Sequence, residues 1–327
     1  MSRLELLKSI SFGSQVAEEE MQNLENYFVQ TEQWNQILEG RVDIVRGEKG
    51  SGKSAIYLLL NKREADLFQR DVLLVSGENP RGATVFRDLI ADPPTSEQEF
   101  VVLWKLYILT IICHEAQTYD IRVGELSAVF GALEDAGLME RELNLAGLLR
   151  TAQSMARRLL GSSTVEAGVQ FDPATGAPSG VIGRISLAEP TADLRTKGVI
   201  SIDGMFTKLN VALAKNGSTV WVLLDRLDVA FAESHELEAN AIRALARVYA
   251  DLRAADQIFL KIFLREDIWK RVTSGGLREA SHITRYLVMS WTPTTLRNLV
   301  LRRLLSNDAF VQEYEIDRDA VLGDVKK

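Results

Sequence analysis

The sequence predicts an α/β fold, a parallel sheet with helices on both faces, interrupted by a long and largely helical insertion. Three observations lead there. An apolar run at 42–45 feeds directly into a glycine-rich loop, and a helical pattern starts at Lys53. Further apolar runs of strand length occupy 71–75, 219–224, 258–264 and 285–289. Helix-period segments separate them, and strands alternating with helices make a parallel sheet.

Residues 1–40 read as a helical lead-in, with Glu18, Glu19, Glu20 and Leu24, Tyr27, Phe28 at helical spacing. The helix from Lys53 to about Phe68 carries Ile56, Leu59 and Leu60 on its inner face. The strand at 71–75 is ended by Ser76-Gly77, and Pro93-Pro94 marks a break. A long buried helix is expected at 97–117, with two more at 123–136 and 139–160. Residues 164–187 are rich in Gly, Ser, Val and Ile, with turn residues at 172–180. They read as a β-hairpin, with a flexible loop as the alternative. Helical pattern returns at 193–215 and stops at Asn216-Gly217; the last helices are expected at 236–254 and 293–305. The expected organisation is a lead-in at 1–40, a core at 41–79 and 216–305, an insertion at 80–215 and a tail at 306–327.

Composition narrows the class. The 327 residues are 46% hydrophobic and 25% charged, as in a globular chain. The longest apolar stretch, 100–113, is broken by Lys105 and Thr110 and is too short for a membrane span. The opening MSRLELLKSI is an ordinary amphipathic start, so no leader is expected. One cysteine, Cys113 in an apolar helix, allows no internal disulfide and fits a reducing cytoplasm. A net charge of −7 disfavours bulk binding to a nucleic-acid backbone. His114, His235 and His282 have no metal-ligand spacing.

The residues Gly47-Glu48-Lys49-Gly50-Ser51-Gly52-Lys53-Ser54 fit the P-loop pattern G-x-x-x-x-G-K-[ST] without departure. Gly47, Gly50 and Gly52 let the backbone wrap closely round phosphate, and the N–H groups of Ser51 and the helix start point at the anion. Lys53 is expected to reach the β- and γ-phosphates and Ser54 to ligate Mg²⁺. The fold then becomes a P-loop NTPase three-layer sandwich, with ATP and Mg²⁺ as ligands. The alternative is a Gly-rich turn with no ligand. At 220–225 an apolar strand ends in Asp225, the expected second Mg²⁺ partner, or else a generic strand-end carboxylate. The next position holds Arg226 where many ATPases carry a second acid, which leaves Asp228, then Glu233, as candidates to polarise water; Asp228 can equally pair with Arg226 or cap the next segment. Arg265, after the strand 258–264, is placed to sense the γ-phosphate, with a structural Arg265–Asp267 pair as the alternative. Arg297, Arg302 and Arg303 follow on the last helix, candidates for a second sensor or for completing a neighbouring subunit's site, with plain solvated arginines as the alternative.

Taken together, LENYFVQTEQWNQILEG, RGEKGSGKSAIY, WVLLDRLDVAF, KIFLREDIWKRV and SHITRYLVMSW followed by LRNLVLRRL resemble a bacterial family of P-loop ATPases related to the STAND and KAP branches of AAA+-like NTPases. The resemblance implies an additional-strand sheet, nucleotide-driven switching, self-association through the nucleotide face, and service in antiviral defence beside an effector or regulatory protein. Asp228 falls at the second acid of the wider group's D-x-x-D pattern, while Arg226 departs from the commoner Asp-Asp. The chain ends soon after the last sheet helix, and no complete lid or effector domain is legible in it, one reading of which is truncation. The function expected is a cytoplasmic, homo-oligomeric ATP-hydrolysing switch. A slow nucleotide-dependent scaffold and a small-molecule kinase are the alternatives; neither nucleic acid nor membrane is indicated.

Overall fold

The computed structural model describes residues 3–14, 19–20, 24–79, 84–86, 95–140, 142–161, 180–227, 234–276 and 283–325. Its strands are β1 (Ile44–Gly47), β2 (Val72–Ser76), β3 (Val181–Ile182), β4 (Ile185–Ser186), β5 (Ile200–Ser201), β6 (Thr219–Leu224), β7 (Ile258–Arg265) and β8 (Tyr286–Met289). Five of them form the central sheet in the order β2-β6-β7-β1-β8, with every pairing parallel. Because helices cover both faces, the strands are apolar on both sides rather than alternating with polar residues. Along β6, Val220, Val222 and Leu224 enter one core, while Trp221 and Leu223 enter the other.

The described helices of the lead-in are α1 (Arg3–Ser9), α2 (Leu24–Tyr27) and α3 (Glu32–Leu38), and residues 10–14 and 28–31 are not helical. With α4 (Lys53–Lys62) and α5 (Glu64–Phe68) they cover one face, through Trp34, Ile37, Tyr57 and Leu67. The other face holds the larger core. It is built on α6 (Glu97–Thr118), whose capping box at Ser96 and Glu99 fixes its start, with α7 (Val123–Asp135) and α8 (Leu145–Gly161) packed against it. After α9 (Ala192–Thr196), that layer continues in α10 (Ile202–Asn216), α11 (His235–Leu252) and α12 (Glu266–Ser274). The chain continues through α13 (Pro293–Leu305), α14 (Asp308–Glu313) and α15 (Arg318–Val325). Among the described residues no helix is long and apolar enough to cross a membrane.

Three boundaries differ from the pattern in the sequence. The helix expected over 53–68 divides at Arg63, and the one expected from 139 begins only at Leu145, where the Asn144 side chain accepts from Gly147 N at 3.1 Å. The helical run expected over 193–215 is two helices separated by β5, because Gly198 takes φ +80° and turns the chain away. The hairpin turn expected at 172–179 lies outside the described residues. The described hairpin is β3–β4, with Gly183 and Arg184 between the strands, and β5 adds parallel to β4.

At the amino end of the sheet, β1, β7 and β8 are joined by a buried charge network. Asp43, 4% exposed, accepts from Lys261 Nζ at 2.8 Å, Arg285 Nε at 2.7 Å and Tyr249 Oη at 3.0 Å. Lys261 also donates to Val42 O at 2.7 Å and Gly40 O at 3.2 Å, and its ammonium lies 4.5 Å from the Trp221 ring centroid. Every donor of that ammonium is used.

Candidate functional site

The glycine loop leaves the sheet at its carboxyl end. Gly47 pairs in register with Arg265 of β7 on one side and Met289 of β8 on the other. A Cβ at Gly47 would collide with Ser51 Oγ and stand 3.2 Å from Met289 Cβ, so the close approach requires glycine. Gly50 and Gly52 take φ +83° and +98°, and Gly52 forms the N-cap of α4. Lys53, the first residue of α4, folds back over the loop and donates to Gly47 O and Glu48 O, each at 2.9 Å. Ser51 is buried, and its hydroxyl oxygen makes no hydrogen bond among the described residues.

The loop opens onto a cavity of about 380 Å³, walled by Gly50, Gly52 and Ile56, by Tyr27 and Phe28 of the lead-in, and by Trp291 after β8. Arg303 of α13 closes one side. Its Nη2 lies 2.7 Å from Glu20 Oε2, its Nη1 donates to Phe12 O, and its guanidinium sits 5.3 Å from the Tyr27 ring centroid. Asn307 and Ser11 exchange two further hydrogen bonds at 2.8 and 2.9 Å. The lead-in is therefore tied across the cavity to α13. This changes the standing of the last-helix arginines as groups offered to a neighbouring subunit. Arg303 is engaged within its own chain and Arg302 is half-buried against the lead-in, while Arg297 is exposed.

Asp225 follows β6 and is 3% exposed. Burial pushes the Tyr57 phenol well above its ordinary range, and the charges of Asp225 and Glu78 push it further. Tyr57 stands one turn after Lys53 on α4, so Asp225 faces the same helix that carries the loop lysine. Arg226 comes next and adopts φ +59°, a left-handed conformation unusual for a residue with a long side chain. Asp228 and Glu233 lie outside the described residues. Arg265 is held by Asp267 in a two-point ion pair, Nε–Oδ1 at 3.0 Å and Nη2–Oδ2 at 2.7 Å, so the pairing weighed against its sensor role is present.

One carboxylate of this neighbourhood was not singled out from the sequence. Glu78 follows β2, the strand beside β6, and is fully buried. It accepts from Thr84 Oγ1 at 2.5 Å, Asn79 N at 2.9 Å and Val85 N at 3.2 Å, while its own carbonyl accepts from Tyr57 Oη at 2.6 Å. Burial raises its pKa, and the hydrogen bonds and the Arg226 charge oppose that rise. The signal was present as an acid just after Ser76-Gly77, where strand 71–75 ends.

No family model, curated protein or solved structure matches this chain. Its chemistry therefore has to be argued from the side chains themselves. Cys113 is buried and burial raises its thiol pKa, which leaves it a core residue and no nucleophile. Among the described residues no group of three or more His, Cys, Asp or Glu is arranged to hold a metal ion. The sheet's carboxyl end offers backbone donors, a flexible ammonium and a buried carboxylate, and the apolar chamber beside them is lined by Gly50, Ser51 and Gly52 of the loop rather than by Lys53 or Asp225. Such a set suits a ligand with one anionic and one apolar end.

Proposed function

We propose that this chain binds Mg-ATP through residues 47–54 and acts as an ATP-hydrolysing switch. The observation that carries the reading is that the glycine loop opens directly onto an apolar cavity of nucleoside size, about 380 Å³. The five-stranded parallel sheet is compatible with a P-loop fold, and β7 lies between the loop strand β1 and the Asp225 strand β6, as an additional-strand sheet requires. The residues fit the ligand: among the described residues Gly50, at φ +83°, has nothing within 4 Å of where a Cβ would stand, and the buried Ser51 hydroxyl makes no hydrogen bond.

In this mechanism the N–H groups at the start of α4 hold the phosphates with the helix dipole behind them. Lys53 exchanges Gly47 O and Glu48 O for phosphate oxygens, a short swing because its amine already lies over the loop. Tyr27, Phe28 and Trp291 enclose the base. Ser54 and Asp225 hold Mg²⁺, which supplies charge neutralisation at the phosphates when bound. Asp228 orients the attacking water, with Glu233 next in line. Arg265 leaves Asp267 for the γ-phosphate, an exchange made easy by the exposure of that pair. The family resemblance extends the proposal to nucleotide-dependent self-association and bacterial antiviral defence. Arg226 beside Asp225 favours a second reading, a scaffold that binds ATP and hydrolyses it very slowly.

Melting of the purified chain with Mg-ATP and Mg-GTP tests binding, and single-turnover phosphate release separates the two readings. Wild type should gain stability with Mg-ATP and quench Trp291 fluorescence, while Lys53→Ala should do neither. Equal shifts in the two proteins would refute the site. Binding without phosphate release over hours would select the scaffold.

A further inference from the structure

Behind the large cavity lies a second, smaller one of about 110 Å³, lined by Glu25, Phe28, Trp34, Leu59, Arg63 and Arg302. Phe28 is the wall common to both, held edge-on against Trp34 with ring centroids 5.0 Å apart. At about 30 Å³ per water molecule, this space holds a few waters or one small oxyanion, and no nucleoside.

Its charges do not close on themselves. Arg302 reaches it from α13 half-buried, with its Nε fully buried, and its guanidinium makes no hydrogen bond or ion pair among the described residues. Burial lowers its pKa. A guanidinium stays charged in proteins, so this is a partly desolvated cation held without a counter-ion among the described residues. Arg63 lies across the cavity. Its Nη1 holds Asp66 at 2.9 Å, and its Nη2 stands 3.8 Å from Glu25, which is also 3.8 Å from Lys62. Three cations therefore face two carboxylates here, and the nearest carboxylate to the cavity is engaged only at long range.

We propose that this pocket is an anion site for a phosphate group, gripped by the forks of Arg302 and Arg63 and separate from the glycine loop. Planar guanidinium forks match the oxygens of phosphate in two-point contacts, which a lysine cannot supply. Free phosphate and the head of a phosphomonoester share that chemistry. Glu25 competes for the same arginines and sets a modest affinity.

The test uses the full chain without nucleotide at constant ionic strength, titrated with inorganic phosphate, with phenyl phosphate and with chloride, and read by melting temperature. A Lys53→Ala background weakens phosphate binding at the glycine loop, and the Arg302 variants separate what the backbone N–H groups of the loop still bind from binding in this pocket. In that background inorganic phosphate should still raise the melting temperature where chloride does not. Phenyl phosphate acting as well would identify an esterified ligand, and phosphate acting alone the free ion. Arg302→Gln should weaken the response at least tenfold. Arg302→Lys, a milder change should Arg302→Gln fail to fold, should weaken it by a smaller factor. Glu25→Gln should strengthen it several-fold. No response in the Lys53→Ala background, or a response unchanged by either Arg302 variant, overturns the site. Because the readout needs no ATP, failure of the ATP reading and failure of this one are distinguishable.

Discussion

The two ends of the central sheet handle charge in opposite ways. At the amino end, Asp43, Lys261, Arg285 and Tyr249 satisfy one another, and the Lys261 ammonium makes three hydrogen bonds within 3.2 Å. At the carboxyl end, Lys53 donates to two main-chain carbonyls and the buried Ser51 hydroxyl makes no hydrogen bond among the described residues. The same element, β1, has Asp43 just before it and Lys53 six residues beyond it. The difference teaches how to separate structural from functional charge inside one core. Structural charge is closed by fixed carboxylates and phenols, whereas on the proposed reading the Lys53 charge is kept for a ligand and rests on contacts that a phosphate can replace.

Substitutions at each end can break that comparison. The largest effect is expected at Asp43→Ala, which strands Lys261 inside the core and should cost about 3–5 kcal/mol in urea unfolding. A loss below 1 kcal/mol would show that the network is not structural. Lys53→Ala should leave the unliganded stability within about 0.5 kcal/mol. It should erase a ligand-dependent gain of about 2.7 kcal/mol at a hundredfold excess of Mg-ATP over its dissociation constant. At Ser51→Ala the two states should part company. Removing an unsatisfied hydroxyl should stabilise the free protein by about 1 kcal/mol, while its gain with Mg-ATP should shrink. Smallest is Asp267→Ala, the exposed partner of Arg265, which should change stability by about 0.2–1 kcal/mol. It should also release Arg265 and so raise ATP affinity if that arginine serves the γ-phosphate; an unchanged affinity would leave Arg265 structural.

The sheet was largely legible because its strands are buried on both faces and read as uninterrupted apolar runs. The strand 219–224 and the helix 293–305 were read to the residue, helped by Gly217 and by Pro293 as punctuation. The loop was legible because close approach at Gly47 and positive φ at Gly50 and Gly52 restrict those positions to glycine. What escaped notice depends on distant partners. Arg303 meets Glu20 across 283 residues, and Trp291 joins the cavity only once the lead-in has folded over it. Glu78 gave only the signal of an acid after a strand, which many solvent-exposed turns share. In 193–215 the apolar spacing suits a helix on either side of Gly198, so periodicity alone could not see the break.

The order of strands in space also has a consequence in time. β1 is among the first strands to be synthesised, yet the side chains that neutralise Asp43 lie 218 and 242 residues further along. At a ribosomal rate of roughly 5–20 residues per second, that gap lasts on the order of ten to fifty seconds. Throughout it the nascent chain carries a glycine loop with neither flanking strand to frame it. On the proposed reading, ligand competence therefore arrives late, once β7 and then β8 have been made to flank β1.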